Sequence, residues 1–284
     1  MLARAANPVR DSIESAVRRL SHAGVETARL DAELLMAHAC GATRAEVLAG
    51  RDAPSPQAAA QFEQFVARRA AREPLAYIVG RREFYALDLI VTPAVLIPRP
   101  ETETVVDAAL AFIADAPGAR VLDLGTGSGC IAIAIAANAP RARIVATDVS
   151  AAALEVARAN AMRLHLTARV DFVCGDLFEA VNGARFDLVV SNPPYVEDGA
   201  TLAPEISDFE PPLALYAGPD GLAFYRRIAA SIRDHLEPGG MLIVEVGATQ
   251  ADAVAALCRE AGAINVEATR DLAGAQRIVQ ARFA

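Results

Sequence analysis

The chain has 284 residues, of which 54% are hydrophobic, so it can bury the core of one or two domains. Its formal charge of −8 argues against a protein whose affinity comes mainly from neutralising phosphates, and we expect no stable nucleic-acid binding. Its four cysteines and four histidines show no metal-ligand spacing. Because no apolar stretch approaches a membrane span and no secretory signal is apparent, we expect no membrane association and a cytoplasmic location.

The first region, residues 1–80, has the periodicity of helices alone and predicts a small helical domain. Leu30, Leu34 and Leu35 form one of its apolar stripes. Capping residues indicate where helices begin, and glycine or proline indicates where they end. These signals are Asp11 with Glu14, Gly24, Gly41, Thr43 with Glu46, Ser55 with Pro56, and Pro74. The domain carries no catalytic motif, so we expect it to help dock a protein substrate.

Residues 81–100 change to a strand-like pattern. Apolar and aromatic residues recur from Phe84 to Val91 and again from Val95 to Ile97, interrupted by Pro93 and closed by Pro98. Short runs of this kind between turn residues predict a β-hairpin. We interpret it as a linker between two domains.

Residues 101–284 alternate strands with helical segments, which predicts a Rossmann-like α/β sheet covered on both faces. The last two strands are joined by Arg270–Ala275 alone, too short for a parallel crossover, so they should pair antiparallel at one edge. The fold class predicted is therefore a seven-stranded sheet with one antiparallel edge strand, preceded by the helical domain and the hairpin. The seven predicted strands are Arg120–Leu124, Ile144–Asp148, Val170–Cys174, Phe186–Ser191, Met241–Val246, Ile264–Thr269 and Gln276–Phe283.

A glycine-rich loop follows the first strand of this region, and an acid ends the second. Glycines there let the backbone approach a ligand closely, and Asp148 could accept hydrogen bonds from a ribose. A dinucleotide site is the rival interpretation, but Asp123 would repel a pyrophosphate and could instead meet the amino group of S-adenosylmethionine. Asp176, after the third strand, is a weaker signal near the adenine end. The loop consists of Gly125, Thr126, Gly127, Ser128 and Gly129.

The fourth strand delivers Asn192-Pro193-Pro194-Tyr195 at its carboxyl end, where open α/β sheets bind ligands. The prolines withhold N–H donors, so the loop is rich in acceptors. Asn192 Oδ1 and the Pro193 carbonyl could accept both hydrogens of an NH2 group, while Tyr195 packs on its flat face. Such a grip aims the nitrogen lone pair at a methyl donor, and methyl transfer then needs positioning and electrostatics. A plain turn is the bland alternative.

The chain resembles the peptide chain release factor glutamine N5-methyltransferase family over nearly its whole length. Segments that carry the resemblance are Glu73–Ile78, Ile97–Glu103, Asp123–Gly129, Asn192–Tyr195, Phe209–Pro211, Gly221-Leu222 and Glu245–Gly247, with Gly80, Phe84, Asp271 and Arg277. The resemblance implies transfer of a methyl group from S-adenosylmethionine to the glutamine of the Gly-Gly-Gln motif in class I peptide chain release factors.

The resemblance also assigns residues to the two ligands. Asn192, Pro193, Pro194 and Tyr195 would hold the glutamine, with Asn192, Pro193 and Tyr195 as the catalytic group. Arg99 to Glu103 would lie over the site. Two positions depart from the family pattern: Gln276 replaces an expected acid, and Leu177 replaces an aromatic residue found in some relatives. The implied cofactor residues are Gly125, Thr126, Gly127, Ser128, Gly129, Asp148, Asp176, Leu177 and Asn192.

Three other functions stay open at this point. A ribosomal-protein glutamine N5-methyltransferase would share nearly every motif, although the Ile97–Glu103 segment and the short helical domain favour release factors. A DNA adenine-N6 methyltransferase uses the same Asn-Pro-Pro-Tyr motif to hold the NH2 group of a flipped base. Such an enzyme should also carry a basic region that recognises DNA, and this chain offers none of matching length or charge. A non-catalytic S-adenosylmethionine-binding module is disfavoured by the intact Asn192 and Tyr195.

Overall fold

A computed structural model describes residues 8–50, 54–271 and 274–284 of the chain. These residues form two compact units. The first, called the helical unit, contains the chain up to Gly80 together with Leu202–Phe209. The second, called the sheet unit, contains Arg81–Thr201 and Glu210–Ala284. Within the described ranges, every helix is too short or too polar to cross a membrane.

The helical unit packs its helices around Leu20, Leu35, Met36, Phe62 and Val66, which are all fully or almost fully buried. Burying side chains of this size removes apolar surface from water, the main force that holds such a bundle together. The helices of its N-terminal segment are α1 (Pro8–His22), α2 (Ala28–Cys40), α3 (Arg44–Leu48), α4 (Pro56–Ala70) and α5 (Leu75–Val79).

Most of the predicted helix boundaries in this unit are confirmed. Thr43 and Glu46 form a reciprocal capping box, and Ser55 caps α4 by accepting from the Ala58 amide. Two details were wrong. Asp11 lies inside the first turn of α1, because the helix already begins at Pro8, and Leu30 is 42% exposed.

A short helix far along the sequence completes the helical unit, which the sequence did not indicate. It is α9 (Pro204–Ser207), and its Glu205 accepts hydrogen bonds from Arg69 at 3.1 Å and from Arg72 at 2.6 Å. Arg69 also donates to Asp31 at 2.7 Å, and both of these groups are buried. Buried charges need such partners, since an unpaired one costs several kcal/mol. The predicted domain 101–284 is thus interrupted at Leu202–Phe209.

The sheet unit begins with a hairpin of β1 (Arg81–Phe84) and β2 (Leu87–Ile90). Its two turn residues, Tyr85 and Ala86, both have positive φ, as a type I′ hairpin turn requires. Tyr85 is held by side chains of the next helix: its amide donates to Glu103, and its hydroxyl donates to Asp107. The run Val95–Ile97, expected to be strand-like, is a loop whose valine and isoleucine are buried.

The remaining seven strands form one mixed sheet in the order β5-β4-β3-β6-β7-β9-β8, which confirms the fold class. Helices α6, α7 and α8 cover one face with the hairpin, and α10 and α11 cover the other. The strands are β3 (Arg120–Leu124), β4 (Arg143–Asp148), β5 (Val170–Cys174), β6 (Phe186–Ser191), β7 (Leu236–Glu245), β8 (Ala263–Arg270) and β9 (Gln276–Phe283). The helices are α6 (Glu103–Ile113), α7 (Cys130–Asn138), α8 (Ala151–Arg163), α10 (Ala223–His235) and α11 (Ala251–Glu260).

The antiparallel pair β8–β9 lies at one edge, as predicted, and the reversed strand β9 is one position in from that edge. After β7 the chain crosses over through α11 and forms β8 one strand position away from β7. It then turns back, and β9 fills the position between them, antiparallel to both. Between β5 and β6 the expected helical segment is a single 3-10 turn, Leu177–Val181.

Candidate active site

A cavity of about 250 Å³ opens at the carboxyl ends of β3, β4 and β6 in the sheet unit. Ten of the twelve residues predicted for the site line this cavity. They come from both the glycine loop and the Asn192 loop, so the structure brings the two loops together. Gly129 and Tyr195 are the two that do not. The ten are Gly125, Thr126, Gly127, Ser128, Asp148, Asp176, Leu177, Asn192, Pro193 and Pro194.

The glycine loop needs its glycines for two different reasons. Gly127 has φ +55° and lines the cavity, and a Cβ there would meet no atom within 4 Å. Gly129 has φ +81°, and a Cβ there would lie 2.8 Å from Ile133 Cδ1 and 3.2 Å from Ala157 Cβ. Gly127 therefore keeps room for a ligand, whereas Gly129 lets α7 and α8 pack closely.

Asp148 lies at the end of β4, and its carboxylate is fixed by the backbone. Gly127 N donates to Oδ2 at 2.8 Å, and Ser150 N donates to Oδ1 at 2.8 Å. Burial raises the pKa of Asp148, while these amide donors oppose the rise. Each carboxylate oxygen has a second lone pair, so Asp148 can still accept from two hydroxyls of a ligand.

Asp123 is not among the residues that line the cavity, and its expected contact with a ligand's amino group stays a prediction. It is fully buried and accepts from Thr126 Oγ1 at 2.6 Å and from the Ala132 amide at 3.2 Å. Burial raises its pKa to about 7. Asp123 thus fixes the glycine loop through its hydrogen bond with Thr126.

Beyond Asp148, the cavity wall combines an ion pair with an aromatic ring. Asp176 accepts from Arg227 at 2.7 Å, and the Arg227 guanidinium lies 5.7 Å from the Phe224 ring centre. Phe224, Arg227 and Leu177 all line the cavity. Leu177 supplies no ring, but α10 supplies one at Phe224. Gln276, the other departure, lies outside the cavity, opposite Arg270 in the edge pair.

At the other end, Asn192 is joined to two residues, Thr102 and Glu245, to which the sequence argument gave no specific chemical role. Its Nδ2 donates to Thr102 Oγ1 at 3.1 Å, and Thr102 Oγ1 donates to Glu245 Oε2 at 2.6 Å. Thr102 and Glu245 are each 1% exposed. Burial raises the pKa of Glu245 to about 7, against the hydrogen bond from Thr102 and the charge of Arg277.

The loop after Asn192 is held through its backbone. Gln250 Nε2 donates to the Tyr195 carbonyl at 3.0 Å, and Gln250 Oε1 accepts from the Gly247 amide. Val196 then pairs in parallel with Tyr216 through an isolated bridge. Burial raises the pKa of Tyr195 to about 12, so its hydroxyl stays neutral.

Two further contacts position loops around the cavity. Glu210 accepts from the Ile97 amide at 3.2 Å and from Arg99 at 2.6 Å, which fixes the Ile97–Arg99 segment. Asn160 is fully buried and donates to the carbonyls of Ser128 and Ile90, which ties the glycine loop to the hairpin. The only sequence signal for Asn160 is its place as a polar residue on the otherwise apolar buried face of α8.

Models of two protein families match the chain. The PrmC N-terminal domain matches residues 11–80, and the methyltransferase small domain matches residues 104–208. Among solved structures, a methyltransferase from Pyrococcus furiosus superposes with a TM-score of 0.51 at 20% identity, covering 76% of this chain and 96% of that one. The hMettl16 catalytic domain, in complex with a MAT2A 3'UTR hairpin, gives 0.57 at 19% identity, covering 78% and 81%. At these identities the likeness shows the fold alone.

Curated relatives are far more similar and cover nearly the whole chain. A release factor glutamine methyltransferase of Cereibacter sphaeroides is 47% identical over 276 residues, covering 96% of this chain and 98% of that protein. Its namesake in Moorella thermoacetica is 45% identical, covering 95% and 96%. The one in Bordetella pertussis is 48% identical, covering 88% and 93%.

Proposed function

We propose, since this chain belongs to the release factor glutamine methyltransferase family, that it methylates the side-chain amide nitrogen of the Gly-Gly-Gln glutamine in class I peptide chain release factors. The observation that carries the proposal is the hydrogen bond that orients the side-chain amide of Asn192 at the end of β6. Its Nδ2 is committed to Thr102, so Oδ1 is the atom left to accept from a substrate NH2 group.

The methyl donor that fits the cavity is S-adenosylmethionine. When bound, it supplies an electrophilic methyl group on a sulfonium. Asp148 has lone pairs free for ribose hydroxyls, and the open space beside Gly127 admits a ligand against the loop backbone. Phe224 provides an apolar ring for a flat base such as adenine. Gly125 to Gly129, Asp148, Asp176, Leu177 and Asn192 are the cofactor residues proposed.

The residues at the Asn192 end act on the nucleophile. An amide nitrogen is a poor nucleophile, because its lone pair is delocalised into the carbonyl. Acceptance of both N–H bonds, by Asn192 Oδ1 and the Pro193 carbonyl, would weaken that delocalisation and aim the lone pair. Preorganised acceptors of this kind stabilise the charge that develops on the nitrogen. Pro194, with its fixed φ, and Tyr195, whose carbonyl is held by Gln250, would keep the loop rigid.

The substrate proposal joins this chemistry to a protein loop. Glycines on either side of a glutamine remove the side chains that would block a narrow site, so the loop can approach Asn192 closely. The helical unit, with its own core and no catalytic motif, would dock the body of the factor. A reaction on translation factors would take place in the cytoplasm.

Transfer of labelled methyl to purified release factor tests the proposal. We expect label on the intact factor, none on its Gln→Ala loop variant, and far slower reaction of a short Gly-Gly-Gln peptide that lacks the docking surface. Ribosomal protein and duplex DNA are the competing substrates. Equal label on the loop variant, or preference for ribosomal protein or DNA, would overturn the assignment.

A further inference from the structure

We infer that Thr102 and Glu245 are positioning residues that set which way the Asn192 amide faces. The inference rests on the proposed function and assigns to these two buried side chains a role in the same reaction. Their route of action is Asn192, which Thr102 bonds directly and which Glu245 reaches through Thr102.

The geometry forms a directed chain of two hydrogen bonds. Glu245 Oε2 accepts from Thr102 Oγ1 at 2.6 Å, a short bond typical of a hydroxyl on a carboxylate. Thr102 Oγ1 accepts from Asn192 Nδ2 at 3.1 Å. Both supporting side chains are 1% exposed, so water cannot replace either partner.

The Glu245 carboxylate fixes which group donates and which accepts in both hydrogen bonds. An ionised carboxylate has no proton to give, so the Thr102 hydroxyl must donate to it. The hydroxyl then has only lone pairs left for Asn192, which must turn its NH2 toward Thr102. The amide oxygen is thereby presented to the substrate. Among the residues that the structure describes, none donates a hydrogen bond to Asn192 Oδ1.

A proton on Glu245 would remove this direction. A neutral carboxyl can donate to Thr102, and Thr102 can then donate to the Asn192 oxygen. The amide would rotate and present its NH2 to the substrate NH2, two donors facing each other. A buried donor left without an acceptor is costly, so the target amide would no longer be held.

Several charged or titratable groups surround Glu245 and bear on its protonation. Burial raises the pKa of Glu245 to about 7, Glu101 raises it further, and Arg277 lowers it. The activity that depends on Asn192 should therefore be present above about pH 7 and be lost as the pH falls. The groups that face Glu245 are Glu101, Cys130, Tyr195, Tyr225 and Arg277.

The first experiment compares Thr102→Val with Thr102→Ser. Valine keeps the shape and removes the hydroxyl, so the single-turnover rate of methyl transfer should fall about 10- to 100-fold, by analogy with loss of a preorganised polar group. Serine restores the hydroxyl and should recover most of the rate. Thr104→Val is the matched control, because that hydroxyl bonds only the Glu101 carbonyl and does not line the cavity.

A double-mutant cycle separates positioning from a general structural role. In an Asn192→Ala background, Thr102→Val should change the remaining rate by less than about twofold, because its only route of action is gone. A loss as large as that in the wild-type background would show that Thr102 acts elsewhere and would overturn the inference.

The second experiment is the pH dependence of the single-turnover rate in Glu245→Gln. The wild-type rate should fall roughly tenfold per unit below about pH 7. Glutamine can accept from Thr102 at every pH, so the variant should lose this dependence. Cofactor affinity, measured over the same range, controls for Asp123, whose pKa is also about 7. A variant profile that still falls with the wild-type slope would contradict the role of Glu245.

Failure of this inference can be told apart from failure of the proposed function. If the substrate assignment is wrong, the wild-type enzyme does not label release factor at all. If only the inference is wrong, the wild type labels it and Thr102→Val labels it equally fast.

Discussion

The glycine-loop end and the Asn192 end of the cavity hold their side chains through contacts of very different sequence separation. At the loop, Thr126 bonds Asp123 three residues away, and Gly127 bonds Asp148 over 21 residues. At the other end, Asn192 bonds Thr102 over 90 residues, and Thr102 bonds Glu245 over 143. The contacts of Thr126 and Gly127 thus join residues close in the sequence, whereas those of Asn192 and Thr102 join distant segments. Each end should therefore fail in its own way.

Gly127→Val should have the largest effect and break the cofactor end alone. Its side chain would fill the space beside the loop, and valine is strained at φ +55°, so S-adenosylmethionine binding should be lost. Calorimetry measures this directly. Gly183→Val is the control, because Gly183 also has a positive φ and open space but does not line the cavity. Binding by Gly127→Val at wild-type affinity would refute the placement of the cofactor.

Asn192→Ala should break the reacting end and spare the other. We expect the methyl-transfer rate to fall roughly 10²–10³-fold, as when one preorganised hydrogen-bond partner is lost, with cofactor affinity within several-fold of wild type. Asn182→Ala, on an exposed residue outside the cavity, should leave both quantities unchanged. Near-normal single-turnover rates in Asn192→Ala would exclude an amide-holding role.

Glu210→Gln tests the long-range support around the reacting end. Glu210 is 3% exposed and holds both Ile97 and Arg99, so loss of its charge should lower the free energy of unfolding by roughly 1.5–3 kcal/mol. Denaturant titration gives this value. Asp220→Asn removes a carboxylate from an exposed pair with Arg226 and should leave the midpoint unchanged. Equal stabilities of the two variants would show that burial of Glu210 matters little.

Phe224→Leu should give the smallest effect and sharpen the adenine end. Replacing the ring keeps an apolar wall but removes its flat face, so binding of S-adenosylmethionine should weaken by about 0.5–1.5 kcal/mol, a rise of about 2- to 13-fold in the dissociation constant. Phe112→Leu, outside the cavity, is the control. If affinity stays the same in Phe224→Leu, the base lies elsewhere along the wall.

The helical unit shows where prediction from the sequence succeeded and where it did not. Thr43 and Ser55 cap helices whose partners are three residues away, so the local pattern was sufficient. Glu205 bonds Arg69 across 136 residues, and nothing near either residue indicates the other. The turn at Tyr85-Ala86 was not predicted either: both residues are non-glycine with positive φ, and Tyr85 is bonded to Glu103 and Asp107, 18 and 22 residues away.

The sequence by itself determined the alternation of strands and helices, the reversed strand pair at the edge, the glycine loop and the Asn192–Tyr195 loop. These depend on periodicity and on backbone restrictions that act over a few residues. Only the tertiary structure decided that Asp123 is buried against Thr126, that α10 supplies Phe224 to the cavity wall, and that hydrogen bonds join Asn192 to Glu245 through Thr102. Those outcomes depend on which side chains meet after burial, and burial brings together residues whose separation in the chain carries no signal.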